Sequence, residues 1–141
     1  MMNYILDTSV VLQWYNRSGE LHPKQARVIL DDLRTDKVGI SIPDILPIEL
    51  LNVLIKGKGL SDDKASIILK DLFEMPIKII GISLPVLQLS SKLMKQYNLA
   101  AYDAYFLALA QYEGYKLISD DQKAHGQIVD GSVIMLKNYP S

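Results

Sequence analysis

The residues best suited to chemistry in this sequence are acidic, and they fall at the ends of strand-like segments or inside apolar helical faces. Asp7 directly follows the segment Asn3–Leu6, and Asp120 and Asp121 directly follow Lys116–Ser119. An Asp so placed either caps the helix that comes next or faces a ligand, because α/β proteins bind ligands in the crevice outside the carboxyl ends of parallel strands. Asp103 is a different case. Its helical neighbours Phe106, Leu107 and Ala110 put it on an apolar face, and burying a lone carboxylate is strongly unfavourable. It needs a cation, a set of donors or a wet cleft beside it, unless it caps backbone N–H groups at the start of its helix. Glu49 shares a segment with Ile48, Leu50, Leu51, Val53, Leu54 and Ile55, so apolar all round that a deeply packed helix is expected. Glu49, Asn52 and Lys56 form its one polar stripe, either a narrow solvated face or the lining of a crevice.

The elements that must position these acids are legible as punctuated periodic runs. Asn3–Leu6, Val38–Ser41, Ile77–Ile80, Lys116–Ser119 and Val133–Leu136 are short, rich in Ile and Val, and of strand length. Between them lie helical patterns. Ala26, Ile29, Leu30 and Leu33 share one face, as do Ala65, Ile68, Leu69 and Leu72 in a helix opened by Ser61, Asp62 and Asp63. Val86, Leu89, Leu93 and Tyr97 line the helix after Pro85, and Gly114 ends the next one. The helix carrying Glu49 starts either at Pro43, with a kink, or at Pro47. Strands alternating with helices predict an α/β protein, a three-layer α/β/α sandwich around a mainly parallel sheet of about five strands.

Composition narrows the classes. With Lys+Arg 15 against Asp+Glu 16 over 141 residues, the net charge is −1, so bulk charge attracts neither nucleic acid nor an anionic membrane. The length suits one compact domain spanning 1–141. The absence of Cys removes thiolate nucleophiles and zinc–thiolate sites and favours a reducing cytoplasm. The opening MMNYILDTSVV lacks a basic stretch and is interrupted by Asp7, unlike a signal peptide. The longest apolar stretch, Leu46 to Ile55, contains Pro47, Glu49 and Asn52, too polar and short to cross a membrane.

Four segments taken together resemble the PIN-domain nucleases, in particular the VapC-type toxins of toxin–antitoxin pairs. YILDTSVV resembles the first motif, with Asp7 and the hydroxyl residue Ser9; PIELLNVL the second, with Glu49 and Asn52; LAAYDAYFLALA the third, with Asp103; and KLISDDQKA the fourth, with Ser119 and Asp121. Each motif is weak alone, and their order and spacing make the signal. Ala100 stands where a hydroxyl residue often precedes the third motif, and Asp120 competes with Asp121 for the fourth acidic position. The hydroxyl-x-Asp spacing favours Asp121.

The resemblance implies a metal-dependent endoribonuclease with Asp7, Glu49, Asp103 and Asp121 as its catalytic and metal-binding acids, supported by Ser9, Asn52, Ser119 and Asp120. Acids crowded in one crevice repel, and a hard cation with oxygen ligands, Mg2+ or Mn2+, relieves that repulsion. His22 and His125 lie outside the motifs, and His22 reads as a surface-loop residue and His125 as a helix end. Arg17, Lys56, Lys58 and Lys123 are the cations near the motifs that could contact RNA, against the alternative of ordinary surface. Trp14, Tyr15, Tyr102, Tyr105, Tyr112 and Tyr115 read as packing residues. The resemblance further implies an RNA substrate, a homodimer and a cognate antitoxin. The alternatives are a solitary RNA-processing nuclease and an inactive binding module. A haloacid dehalogenase or a receiver domain also places Asp after the first strand. The former wants a second Asp where Ser9 stands, and the latter wants paired acids and a late Lys that have no match here.

Overall fold

The computed structural model describes residues 1–15 and 22–140. Five strands form one sheet: β1 (Met2–Leu6), β2 (Val38–Pro43), β3 (Lys78–Ile80), β4 (Lys116–Ser119) and β5 (Val133–Met135), in the order β3-β2-β1-β4-β5. Every pairing is parallel. The chain steps outward from β1 to β3, then returns across the sheet to β4 on the other side of β1. The order therefore reverses between β1 and β4, and this switch point opens the crevice at their carboxyl ends.

Right-handed crossovers place the connecting helices. α1 (Thr8–Tyr15) and α2 (Pro23–Arg34) join β1 to β2, and α3 (Ile45–Asn52) and α4 (Asp62–Glu74) join β2 to β3, all on one face. α5 (Leu84–Tyr97) and α6 (Ala101–Glu113) run in the opposite sense and cover the other face. The short α7 (Gln122–His125) follows β4. With both faces covered, consecutive residues Tyr4, Ile5 and Leu6 are all buried, as are Leu117, Ile118 and Ser119. The sandwich is the one predicted, with a sheet parallel throughout. Among the described residues no helix is long and apolar enough to cross a membrane.

Local chemistry explains the boundaries. Ser61 Oγ accepts from Lys64 N at 3.2 Å to cap α4, whose first turn holds Asp62 and Asp63. Gly114 ends α6 with φ +72°, a left-handed conformation that a side chain disfavours. α6 packs against β1, β4 and α5, and its residues Ala104 to Ala110 are all buried.

α3 departs from expectation in three ways. It begins at Ile45, at neither Pro43 nor Pro47; Pro43 closes β2, and Pro47 sits in the first turn, where a missing N–H breaks no helical bond. It is not deeply packed all round. Leu46, Leu50 and Leu54 face the core at intervals of four residues, while Ile48 is 68% exposed and Leu51 36%. Beyond Asn52 the helix widens into a π turn over Val53–Gly57, with Lys58 N donating to Val53 O at 2.8 Å.

Candidate active site

The switch point gathers acids from four elements. Asp7 follows β1, Glu49 lies on α3, Asp103 in the first turn of α6, and Asp121 in the turn after β4. All four line one cavity of about 260 Å³, with Thr8, Ser9, Leu12 and Val53 forming the rest of its wall. Asp103 and Asp121 also line an adjoining cavity of about 320 Å³ that extends past Ala100 to Lys123 and Gln127.

Each acid is held by part of its oxygen set. Asp7 N donates to Ile118 O at 3.0 Å, tying the turn to β4. Its Oδ2 accepts from Ser9 N at 3.1 Å and from Ser9 Oγ at 2.6 Å. Glu49 Oε1 accepts from Thr8 Oγ1 at 2.9 Å. Asp121 Oδ1 caps α7 by accepting from Ala124 N at 3.0 Å. Among the described residues none donates to Asp7 Oδ1, Glu49 Oε2, Asp121 Oδ2 or either carboxylate oxygen of Asp103.

Three of these carboxyls sit above the ordinary carboxylate range. Burial is the main cause for Asp7, to which the nearby Asp121 charge adds, against the His125 ring and the Ser9 donors. Burial likewise raises Glu49, with the Thr8 hydroxyl opposing and Asp7 and Asp103 adding. Asp103 is raised by burial and, despite His125, by Asp7 and Asp121. Burial and mutual repulsion outweigh the opposing His125 ring and hydroxyl donors at these acids.

The sequence model of the PIN domain matches residues 4–126. The chain belongs to the PIN-domain family. Solved structures with the same fold include a VapBC of Salmonella typhimurium bound to DNA, at TM-score 0.72 and 12% identity, covering 96% of this chain and 99% of that one. VapBC2 of Rickettsia felis, bound to a promoter DNA fragment, has TM-score 0.70 and 22% identity over 95% of this chain and 97% of that one. VapC20 of Mycobacterium tuberculosis, a toxin that cleaves the sarcin–ricin loop, has TM-score 0.66 and 12% identity over 83% and 87%. No curated protein matches the sequence.

The remaining residues singled out in the sequence fall at different distances from the PIN acids. Ser9 Oγ links Asp7 to the fourth motif by accepting from Asp120 N at 2.9 Å. Asp120 itself turns away: its Oδ2 accepts from Gln13 Nε2 at 2.7 Å and its Oδ1 stands 2.8 Å from His22 Nδ1. Ser119 is buried beneath the cavity and accepts from Asp121 N at 3.1 Å. Asn52 is exposed and lines, with Tyr102, a depression that shares Glu49 and Val53 with the acidic cavity. Lys123 lines the adjoining cavity, Lys56 a shallow apolar one with Ile48 and Leu51, and Lys58 ends the π turn, half-buried. Arg17 lies outside the described residues.

The aromatic residues divide. Trp14 Nε1 donates to Ala26 O at 2.8 Å, Tyr15 donates to Asp71 at 2.8 Å and Tyr105 is buried, so these pack as predicted. Tyr102 and Tyr112 are 59% and 57% exposed, so they do not pack in this chain's core. His125 is the last residue of α7, the helix end expected, and is wholly buried there; His22 lies in the segment before α2, as expected, with its partly exposed ring against Asp120.

Sequence reasoning passed over Thr8 and Gln13, and read His125 only as a helix end. Thr8 holds Glu49; Gln13, buried in α1, donates to both Ser9 O and Asp120. The available signal was a polar residue on an otherwise apolar helical face, which Gln13 shows among Val10, Val11, Leu12 and Trp14.

Proposed function

We propose that this PIN-domain protein is a divalent-metal-dependent endoribonuclease, the toxin of a VapBC-type pair. The observation that carries the reading is the convergence of Asp7, Glu49, Asp103 and Asp121 on one cavity, with carboxylate oxygens directed to no described protein donor. The donor set is all oxygen, which suits Mg2+ or Mn2+. Among the described residues no three His, Asp or Glu side chains form a ready-made chelate. That is compatible with Mg2+, which keeps several waters and takes one or two carboxylates directly. Asp7 and Asp103 are assigned as principal ligands, with Asp121 and Glu49 completing the site directly or through water.

The cation, when bound, supplies neutralisation of the scissile phosphate and a water of lowered pKa. The protein's own part is positional. Ser9 orients Asp7, Thr8 orients Glu49, and the cap of α7 orients Asp121. Lys123, on the adjoining cavity, is placed to meet a neighbouring backbone phosphate. Water adds to phosphorus and the P–O bond to the leaving nucleotide breaks, giving two RNA fragments.

Two of the similar structures are of VapBC and a third is a toxin that cleaves the sarcin–ricin loop, which supports an RNA substrate and an antitoxin partner. The apolar surface formed by Ile48 and Leu51 supports a homodimer; sedimentation showing only monomer at micromolar concentration removes it. The test of the activity is cleavage of single-stranded RNA by the purified chain with Mn2+ against Asp7→Asn and Asp103→Asn. Loss in both variants is expected. Activity equal to the parent's refutes the assignment.

A further inference from the structure

His125 is a polar side chain with no solvent exposure and lines neither cavity that the acids share. Apolar packing does not require an imidazole there, since a buried ring with two nitrogens needs two partners. Both partners belong to motif segments. Nδ1 lies 2.7 Å from Ser119 Oγ, and Nε2 lies 3.0 Å from the backbone oxygen of Asp103.

The direction of these bonds follows from their chemistry. A carbonyl only accepts, so Nε2 carries the hydrogen and donates to Asp103 O. Ser119 Oγ accepts from Asp121 N at 3.1 Å and donates its single hydrogen to Nδ1. A continuous relay thus runs from the backbone of Asp121 through Ser119 and His125 to the backbone of Asp103. Every donor in it has one acceptor. The two acids at its ends stand on separate elements and repel, so their separation has to be fixed by something other than their own attraction.

We infer that His125 is a positioning residue, locking the first turn of α6, and with it Asp103, to the turn that carries Asp121. It touches neither substrate nor cation. The inference rests on the metal-site reading above and deepens it, adding a residue behind the acids that sets their spacing. A group behind a metal site changes metal affinity or activity by about 10–100-fold when removed.

Two variants of similar polarity separate positioning from simple packing. In His125→Gln the amide nitrogen occupies the place of Nε2 and still reaches Asp103 O. In His125→Asn the shorter side chain keeps the contact to Ser119 and loses the one to Asp103. Mn2+ affinity is measured by electron paramagnetic resonance on the full chain, beside Tm and steady-state RNA cleavage. His125→Asn is expected to weaken Mn2+ by about 10-fold or more relative to His125→Gln, with kcat falling and KM for RNA unchanged. Equal Mn2+ affinity in the two variants, whether unchanged or lowered together in step with Tm, overturns the inference and leaves the nuclease reading standing. A parent chain that takes up no Mn2+ overturns both.

Discussion

The acids of the cavity oppose the fold that carries them, and this makes a measurable trade. Asp7 is buried, its carboxyl raised above the ordinary range by that burial, with Asp121 adding to the effect. Asp7→Asn keeps an oxygen to accept from Ser9, so the cap of α1 survives while the charge is removed. Without divalent metal at neutral pH, Asp7→Asn is expected to melt at a higher temperature than the parent. Metal reverses the order. A ligand that binds only the folded state stabilises it by about 2.7 kcal/mol at a concentration 100 times its Kd. A chain of 141 residues unfolds with an entropy of about 0.3 kcal/mol/K, so the parent should gain about 9 °C. Asp7→Asn and Asp103→Asn should gain little.

The assay is thermal unfolding over a Mn2+ titration, with Asp120→Asn as the control. Asp120 is committed to Gln13 and His22, so its variant should shift in baseline Tm and still respond to the ion. The pH dependence has a definite sign. Asp7, Glu49 and Asp103 are raised in the folded state, so the stability they contribute is full below the ordinary carboxylate range and lost as pH rises through their folded pKa values. The metal-free parent should therefore gain Tm relative to Asp7→Asn as pH falls from neutral, while the Mn2+-induced shift shrinks because protons compete for the same oxygens. A parent that shows no Mn2+-dependent shift, or an Asp7→Asn variant that shifts as much as the parent, refutes the reasoning.

Two further substitutions probe the parts around the acids. Thr8→Val removes the hydroxyl that donates to Glu49 at 2.9 Å; it should destabilise the fold by about 1–2 kcal/mol at neutral pH by chemical denaturation. Because that bond favours the charged carboxylate, the acidic limb of the pH–rate profile should also move to higher pH. Lys123→Ala should leave metal uptake intact and lower the slope of log affinity for RNA against log salt by about 1. An unchanged slope would place Lys123 outside the RNA path.

What the sequence disclosed and what it withheld divide along a physical line. Strand-length Ile/Val runs and helical faces report burial directly, so the five strands and the inward faces of α2, α4 and α5 were legible. The terminating signals at Ser61 and Gly114 were legible for the same reason, being local. α3 misled because the segment from Leu46 to Ile55, with seven Leu, Ile or Val in ten residues, looks the same whether the helix is surrounded or presents one side outward. Only the sheet's position decides that Leu46, Leu50 and Leu54 face inward and Ile48 does not. The partners of His22 and His125 were invisible because the fold brings them near, Asp120 from 98 residues away for His22, and Asp103 from 22 and Ser119 from 6 for His125. The ambiguity between Asp120 and Asp121 had the same origin: neighbours in sequence, they point to different partners once Gln13 and His22 are in place.

At Asp7 a capping role and the proposed site role are compatible. A strand that ends at the switch point must hand over to a helix, and the residue at that junction caps it: Asp7 O accepts from Val10 N at 3.0 Å and Oδ2 from Ser9. A carboxylate has two oxygens, and the cap uses one. The other has no donor among the described residues, on a side chain that lines the cavity with Asp103 and Asp121 and that the cap has already restricted. Asp121 repeats the pattern, with Oδ1 on Ala124 N and Oδ2 left over. On the metal-site proposal, capping lowers the conformational entropy lost on taking up an ion, so the local and the proposed roles reinforce each other at the same residue. An amide at either position keeps the cap and loses the charge, which is why the Asn variants isolate the chemistry from the fold.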